Sequence, residues 1–156
     1  MIFIYLLFSL FASTETVPME PSLENKEYFI SSVNTLRAKG CKCGRKKMPP
    51  VGPLKWDNDL YISAESHARY LNRRSDLSHY GRQGEDIADR IEDTGYPWAV
   101  VGENLGRGQK TFPEVMKDWI KSTPHCKMLM NPKVEDMAIA KINKVWVQHF
   151  GKKKEN

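Results

Sequence analysis

The sequence predicts an α+β domain in which helices pack on a small sheet. Several segments repeat apolar residues at helical spacing, one extended segment lies mid-chain, and two alternating runs come near the end. The 156 residues suffice for one domain with a core of its own. Composition agrees, at 40% hydrophobic and 28% charged, with no internal repeat and no low-complexity tract.

The chain opens on MIFIYLLFSLFAS. This apolar run falls short of the roughly 20 residues that cross a bilayer. Small residues follow (Ala12, Ser13, Thr14), so residues 1–14 read as a signal peptide and predict a secreted, extracellular protein. Residues 15–26, with the proline-broken ETVPMEPS, read as a polar linker. A helix is then expected over YFISSVNTLRAKG, with Phe29, Ile30, Val33 and Leu36 on one face and Gly40 as its stop. The basic CKCGRKKMPPVGP is expected to be irregular because of its glycines and prolines.

WDNDLYISAESHARYLNRR carries the clearest helical pattern. Asp57 suits its N-cap, Trp56 can staple onto Tyr61, and Leu60, Ala64, Ala68 and Leu71 form the buried stripe. His67 borders that stripe and reads as a packed, structural histidine. GEDIADRIEDTG predicts a short helix with Ile87 and Ile91 inward, stopped by Gly95. YPWAVV reads as extended, leading into VVGENLGRGQ, where a strand is expected to give way to a glycine turn at Glu103. TFPEVMKDWIKS has Thr111 and Glu114 at capping-box spacing and Val115, Met116, Trp119 and Ile120 inward. TPHCKMLMNP predicts another turn or two of helix, with Thr123 as cap and Pro124 at the first position. DMAIAKI and KVWVQHF, joined at Asn143–Lys144, predict an antiparallel hairpin.

The net charge of +5 is unevenly spread. Lys39, Lys42, Arg45, Lys46 and Lys47 cluster in one loop and Lys152, Lys153 and Lys154 in the tail of residues 152–156, leaving the rest slightly acidic. The loop offers contact with an anionic surface, although solvated charge explains it as well. No aromatic residues interleave with these clusters, which argues against nucleic acid as a partner.

Three cysteines in an oxidising compartment leave one odd. Bridging Cys41 to Cys43 spans too little chain, whereas joining either to Cys126 closes a loop of more than eighty residues. A closure of that length is worth about 3–5 kcal/mol in the chain-entropy account. A Cys-x-Cys metal site lacks a second cysteine pair or a nearby histidine to complete it.

Four histidines are present: His67, His79, His125 and His149. His79 lies in a loop and His125 in the first turn of an expected helix, where the neutral ring is favoured. Those two imidazoles with Glu103 make a chemically reasonable zinc set. Their separations match no local metal motif, so only the fold can assemble them. No G-x-S-x-G elbow supports a nucleophilic enzyme.

Together PLKWD, SHARYL, LSH, RIEDTGYPW, VGENLGRGQKT, VMKDWIKSTPHCKMLMNP and WVQHFG, in this order, resemble the CAP superfamily of SCP-like extracellular domains, in its compact bacterial-type branch. The likeness covers residues 27–151. It implies a three-layer α-β-α sandwich with a small, mainly antiparallel sheet and a cleft lined by His79, Glu103 and His125. In several members that cleft holds zinc or another divalent cation. A second glutamate of the animal and plant members is replaced here by Ser122, so the resemblance implies a three-residue rather than a four-residue site. The resemblance also implies the pairing Cys43–Cys126, with Cys41 left over, and gives His149 no role. The function it implies is a secreted, non-catalytic protein that binds a ligand or partner through the cleft. The alternatives are a zinc-dependent hydrolase at the same site and a sterol or lipid carrier.

Overall fold

The computed structural model describes residues 23–155; the expected signal peptide lies outside them, as does most of the expected linker. Helix α1 (Leu23–Lys39) starts within the stretch read as linker. Its inward face carries Phe29, Ile30, Val33 and Leu36 as expected, and Gly40 ends it at φ +70°, with its N–H bonded to the Leu36 carbonyl. A residue the periodicity did not single out completes that face. Arg37 is 1% exposed, and its guanidinium donates to the carbonyls of Gly52, Leu129 and Asn131 at 2.7–3.0 Å.

The basic loop is not irregular. Strands β1 (Cys41–Cys43) and β2 (Lys46–Met48) form an antiparallel hairpin, with Cys41 opposite Met48 and Cys43 opposite Lys46. Gly44, at φ +61°, supplies the two-residue turn, and the prolines begin only after β2 ends. Lys42, Arg45, Lys46 and Lys47 are all exposed on it.

Trp56, expected at a helix start, instead belongs to strand β3 (Lys55–Trp56). It still packs on Tyr61, the ring centroids 5.7 Å apart. Helix α2 (Asn58–Asn72) is capped by Asp57, whose carboxylate accepts from the N–H groups of Asp59 and Leu60 at 2.9 and 3.2 Å. Helix α3 (Ile87–Glu92) has a capping box of Asp86 and Asp89, and Gly95 follows it at φ +84°.

Strand β4 (Trp98–Arg107) overturns the expectation of a turn at Glu103, because the strand runs straight through GENLG. Gly102 and Gly106 are not there for left-handed angles; only Gly108 has one, at φ +103°. They serve close approach. A Cβ on Gly106 would stand 2.6 Å from Val115, and one on Gly102 would collide with Met128. Helix α4 (Phe112–Lys121) lies on that face, its Trp119 indole donating to the Leu105 carbonyl at 2.8 Å. Glu114 accepts from the N–H groups of Lys110 and Thr111, the local role its spacing predicted. Helix α5 (Thr123–Leu129) begins one residue earlier than expected, with Ser122 rather than Thr123 at the cap. Strands β5 (Asp136–Ile142) and β6 (Val145–Lys153) form the expected hairpin, with Asn143 in the turn at φ +52°.

The main sheet has the order β3-β5-β6-β4, antiparallel except for the β3–β5 pair. Alternation sorts its side chains onto two faces. Met137, Ile139, Trp146 and Phe150 enter a core with α1, α4 and α5. Ala138, Ala140, Val145 and Val147 enter a second core with Leu60, Ala64, Ala68 and Leu71 of α2 and Ile91 of α3. Alanine on both the helix and the sheet lets α2 lie close. Helices on both sides of a small, mainly antiparallel sheet make three layers, and β4 is an outer strand.

Candidate functional site: a buried carboxylate hub

Glu103 stands mid-strand on the α2 face of the sheet, as the alternation Val101, Glu103, Leu105 requires. Its cross-strand partner is His149, which shares the face of Val145 and Val147. Register alone therefore brings these two together. The His149 Nε2 lies 2.9 Å from Glu103 Oε2. From α3, Arg90 Nη2 donates to the same oxygen at 2.9 Å. From α2, His67 Nε2 approaches it to 3.8 Å. From the α2–α3 loop, His79 Nδ1 sits 2.6 Å from Oε1.

Loop placement follows from the same groups. His67 Nε2 donates to the Ser78 carbonyl at 2.9 Å, and Arg90 Nη1 donates to the carbonyls of His79 and Glu85, both at 3.0 Å. Two buried side chains thus grip the loop by its backbone and deliver His79 to the carboxylate.

The hub is dry at its base and open at one end. Glu103 is 2% exposed at its side chain and Arg90 8%, while His79 is 60% exposed. Burial alone opposes ionisation of Glu103, but the hydrogen bonds from His149 and His79 and the Arg90 charge outweigh it and hold the carboxyl well below its usual range. Burial pushes His67 down to about 4 and lowers His149 as well, so both rings are neutral. Neutral His149 donates through Nε2. His79 goes the other way, raised by its hydrogen bond to Glu103 against partial burial.

Of the three residues read from the sequence, His79 and Glu103 are in contact. His125 arrives from α5, on the opposite layer, beside the edge strand, with its carbonyl 3.4 Å from the Asn104 amide. Its pKa is lowered by burial and then by the charge of His79, so the two imidazoles feel one another. Sequence reasoning missed Arg90, gave His149 no role, and left His67 with a packing role only. The alternating run KVWVQHF carried a signal for His149, since its parity with Val145 and Val147 points it inward.

A divalent cation would meet a donor set that is already partly occupied. Both oxygens of Glu103 are engaged, one by a guanidinium that disfavours a second positive charge. Among the described residues, the set of three ligand groups whose donor atoms all lie within 4.8 Å is Cys41, Cys43 and Cys126, not His79, Glu103 and His125. With its oxygens so engaged, Glu103 does not fit as a first-sphere ligand, and the two imidazoles are the donors left to meet a cation. Two further hollows adjoin the layers. One, of about 780 Å³, is polar and lined by Tyr70, Arg73, Arg82 and Arg90; the other, of about 790 Å³, is lined by Tyr28, Phe29, Phe112 and Trp146.

Comparison with known proteins agrees with this architecture. An extracellular SCP-domain protein of Bacillus anthracis superposes with a TM-score of 0.73 at 19% identity, over 88% of this chain and 45% of that one. An outer surface protein of Borrelia burgdorferi gives 0.72 at 21%, over 86% and 97%. In sequence, the uncharacterized protein YkwD of Bacillus subtilis is 28% identical over 100 residues, which is 63% of this chain and 39% of the relative. The uncharacterized membrane protein YlbC of the same organism is 24% identical over 103 residues, 66% of this chain and 30% of its own. The chain therefore matches less than half the length of either relative. The profile described as the cysteine-rich secretory protein family matches residues 30–150, which takes in strands β1 to β5, most of β6 and each residue of the hub. The chain belongs to the cysteine-rich secretory protein (CAP) family.

Proposed function

We propose that this is an exported, non-catalytic binding protein whose ligand or partner is met by His79 and His125, with Glu103 as a positioning residue. The observation that carries this reading is the hub itself. A buried carboxylate held by Arg90 and His149 fixes one ring nitrogen of His79 and leaves the outer edge of that ring to solvent. Such an arrangement fixes the ring's orientation and tautomer while offering the other nitrogen outward.

Hydrolysis finds less support. A carboxylate held ionised by a guanidinium is a poor proton acceptor, and Ser122 stands where a second acid would serve as general base. Export is supported by the apolar amino-terminal run and by similarity to an extracellular and an outer surface protein. Among the described residues, no helix is long and apolar enough to cross a membrane. Carriage of an apolar ligand is a second reading, favoured by the hollow lined by Tyr28, Phe29, Phe112 and Trp146.

Zinc titration followed by the histidine side-chain NMR signals tests the first reading, alongside ester and peptide hydrolysis with and without chelator. The expected result is that zinc perturbs His79 and His125 together, that His79→Ala abolishes both shifts, and that no turnover occurs. Chelator-sensitive hydrolysis lost in His79→Ala would overturn the non-catalytic reading, and a response of His79 without His125 would overturn the pairing.

A further inference from the structure

The third cysteine lies against the disulfide. Cys43 and Cys126 are bonded, with Cα atoms 5.4 Å apart, and both are fully buried. The Cys41 Sγ is 3.5 Å from the Cys126 sulfur and 3.7 Å from the Cys43 sulfur. This closeness follows from the hairpin. Residues two apart on a strand share a face, so Cys41 and Cys43 both point from β1 towards α5. Around them Met130 is buried, and Leu36, Met48 and Val51 pack against the group. Of the three cysteine residues, Cys41 alone is not fully buried.

We propose that Cys41, Cys43 and Cys126 form a thiol–disulfide exchange site, in which Cys41 takes over the bond to Cys126 and passes the free thiol to Cys43. The Cys41 thiol loses its proton to water. Its sulfur forms a bond to the Cys126 sulfur, the Cys43–Cys126 bond breaks, and Cys43 leaves with the electron pair and takes up a proton. One disulfide and one thiol exist before and after, so no external oxidant or reductant is needed. Cys41 lies nearly equidistant from both bonded sulfurs and hence broadside to the bond. It must swing to an in-line approach, which places the exchange among slow, uncatalysed rearrangements of minutes to hours. The consequence is chemical. One bridged form shows solvent a half-buried thiol, and the other buries the thiol at Cys43.

Trypsin separates the candidates, because Lys42 lies between the two hairpin cysteines. Cys41 falls in the peptide 40–42, Cys43 in 43–45 and Cys126 in 122–127. The intact protein is incubated for a day without reductant, then unfolded in acidic guanidinium chloride containing a maleimide, so that the free thiol is blocked whether it was exposed or buried, and the peptides are mapped without reduction. Both cross-linked species are expected, 43–45 with 122–127 and 40–42 with 122–127. Maleimide is expected on both Cys41 and Cys43, in the same proportion as the two cross-linked species. In Cys43→Ser, whose fold is checked by circular dichroism, Cys41 is expected to bond to Cys126 in full. Cross-linking confined to Cys43 and Cys126 after the incubation overturns the exchange. So does a folded Cys43→Ser protein in which Cys41 and Cys126 both take up maleimide.

Discussion

At the scale of single residues, the protein holds an ionised glutamate in its interior and surrounds it with one guanidinium and three imidazoles. Removing a carboxylate from water is costly unless paired and hydrogen-bonded, and Arg90, His149 and His79 meet that demand. The neutral rings beneath carry a cost that depends on pH. His67 has an ordinary value of 6.5 when unfolded and about 4 in the folded protein, and His149 is shifted in the same direction. Below pH 6.5 the unfolded chain takes up protons that the folded chain refuses, so stability falls as pH drops from 6.5 towards 4. His67 alone contributes on the order of 3 kcal/mol to this loss. His79, raised but exposed, works weakly in the opposite sense, adding stability at low pH that fades as pH rises through its folded value. Urea midpoints at pH 7.0, 5.5 and 4.5 should fall in that order, and fall less in His67→Gln. A flat or rising series would refute the neutral, buried rings. His79 and Glu103 were legible as chemistry-bearing residues in the sequence; Arg90 was not, because an arginine beside inward isoleucines on a short helix looks like any solvated charge.

At the scale of elements, the informative departures are at glycine and arginine. VVGENLGRGQ invites a turn, yet the strand continues because Gly102 and Gly106 face the helical layer of α4 and α5, where bulk rather than backbone angle is excluded. The basic CKCGRKKM stretch is expected to be irregular, yet one two-residue turn suffices to make it a hairpin. Neither outcome is encoded in local preference; both are set by what packs opposite. Arg37 makes the same point on α1, where a charged side chain occupies an inward position because three carbonyls from the following loop and the end of α5 need donors. Each buried carbonyl left without a partner costs about 1–3 kcal/mol. Arg37→Met is accordingly expected to lower stability by about 3–5 kcal/mol, allowing for the charge no longer buried. Chemical denaturation checks this, and a change below about 1 kcal/mol would show that water replaces the guanidinium.

At the scale of the whole molecule, two cores back to back across one sheet leave the hairpin β1–β2 at the periphery, tied to α5 by the disulfide. That bond spans 83 residues and fastens the helix on which His125 stands. Cys126→Ala removes both bridged forms at once and should cost about 3–5 kcal/mol, read as a lower thermal midpoint. An unchanged midpoint would mean that the unfolded chain is not appreciably restrained by the bridge. The sequence by itself determined the α+β class, the long helix with its Asp57 cap, the closing hairpin and the inward stripes, because each of these is written in periodicity and in short-range capping chemistry. It also carried, through ordered motifs, the likeness that points to His79, Glu103 and His125. Only the tertiary structure decided that Arg90, His67 and His149 complete the surroundings of Glu103, and that Cys41 rests against a bond it does not share. Those groups come from α2, α3, β6 and β1, and no local pattern records a meeting between side chains separated by tens of residues; cross-strand register and helix docking do.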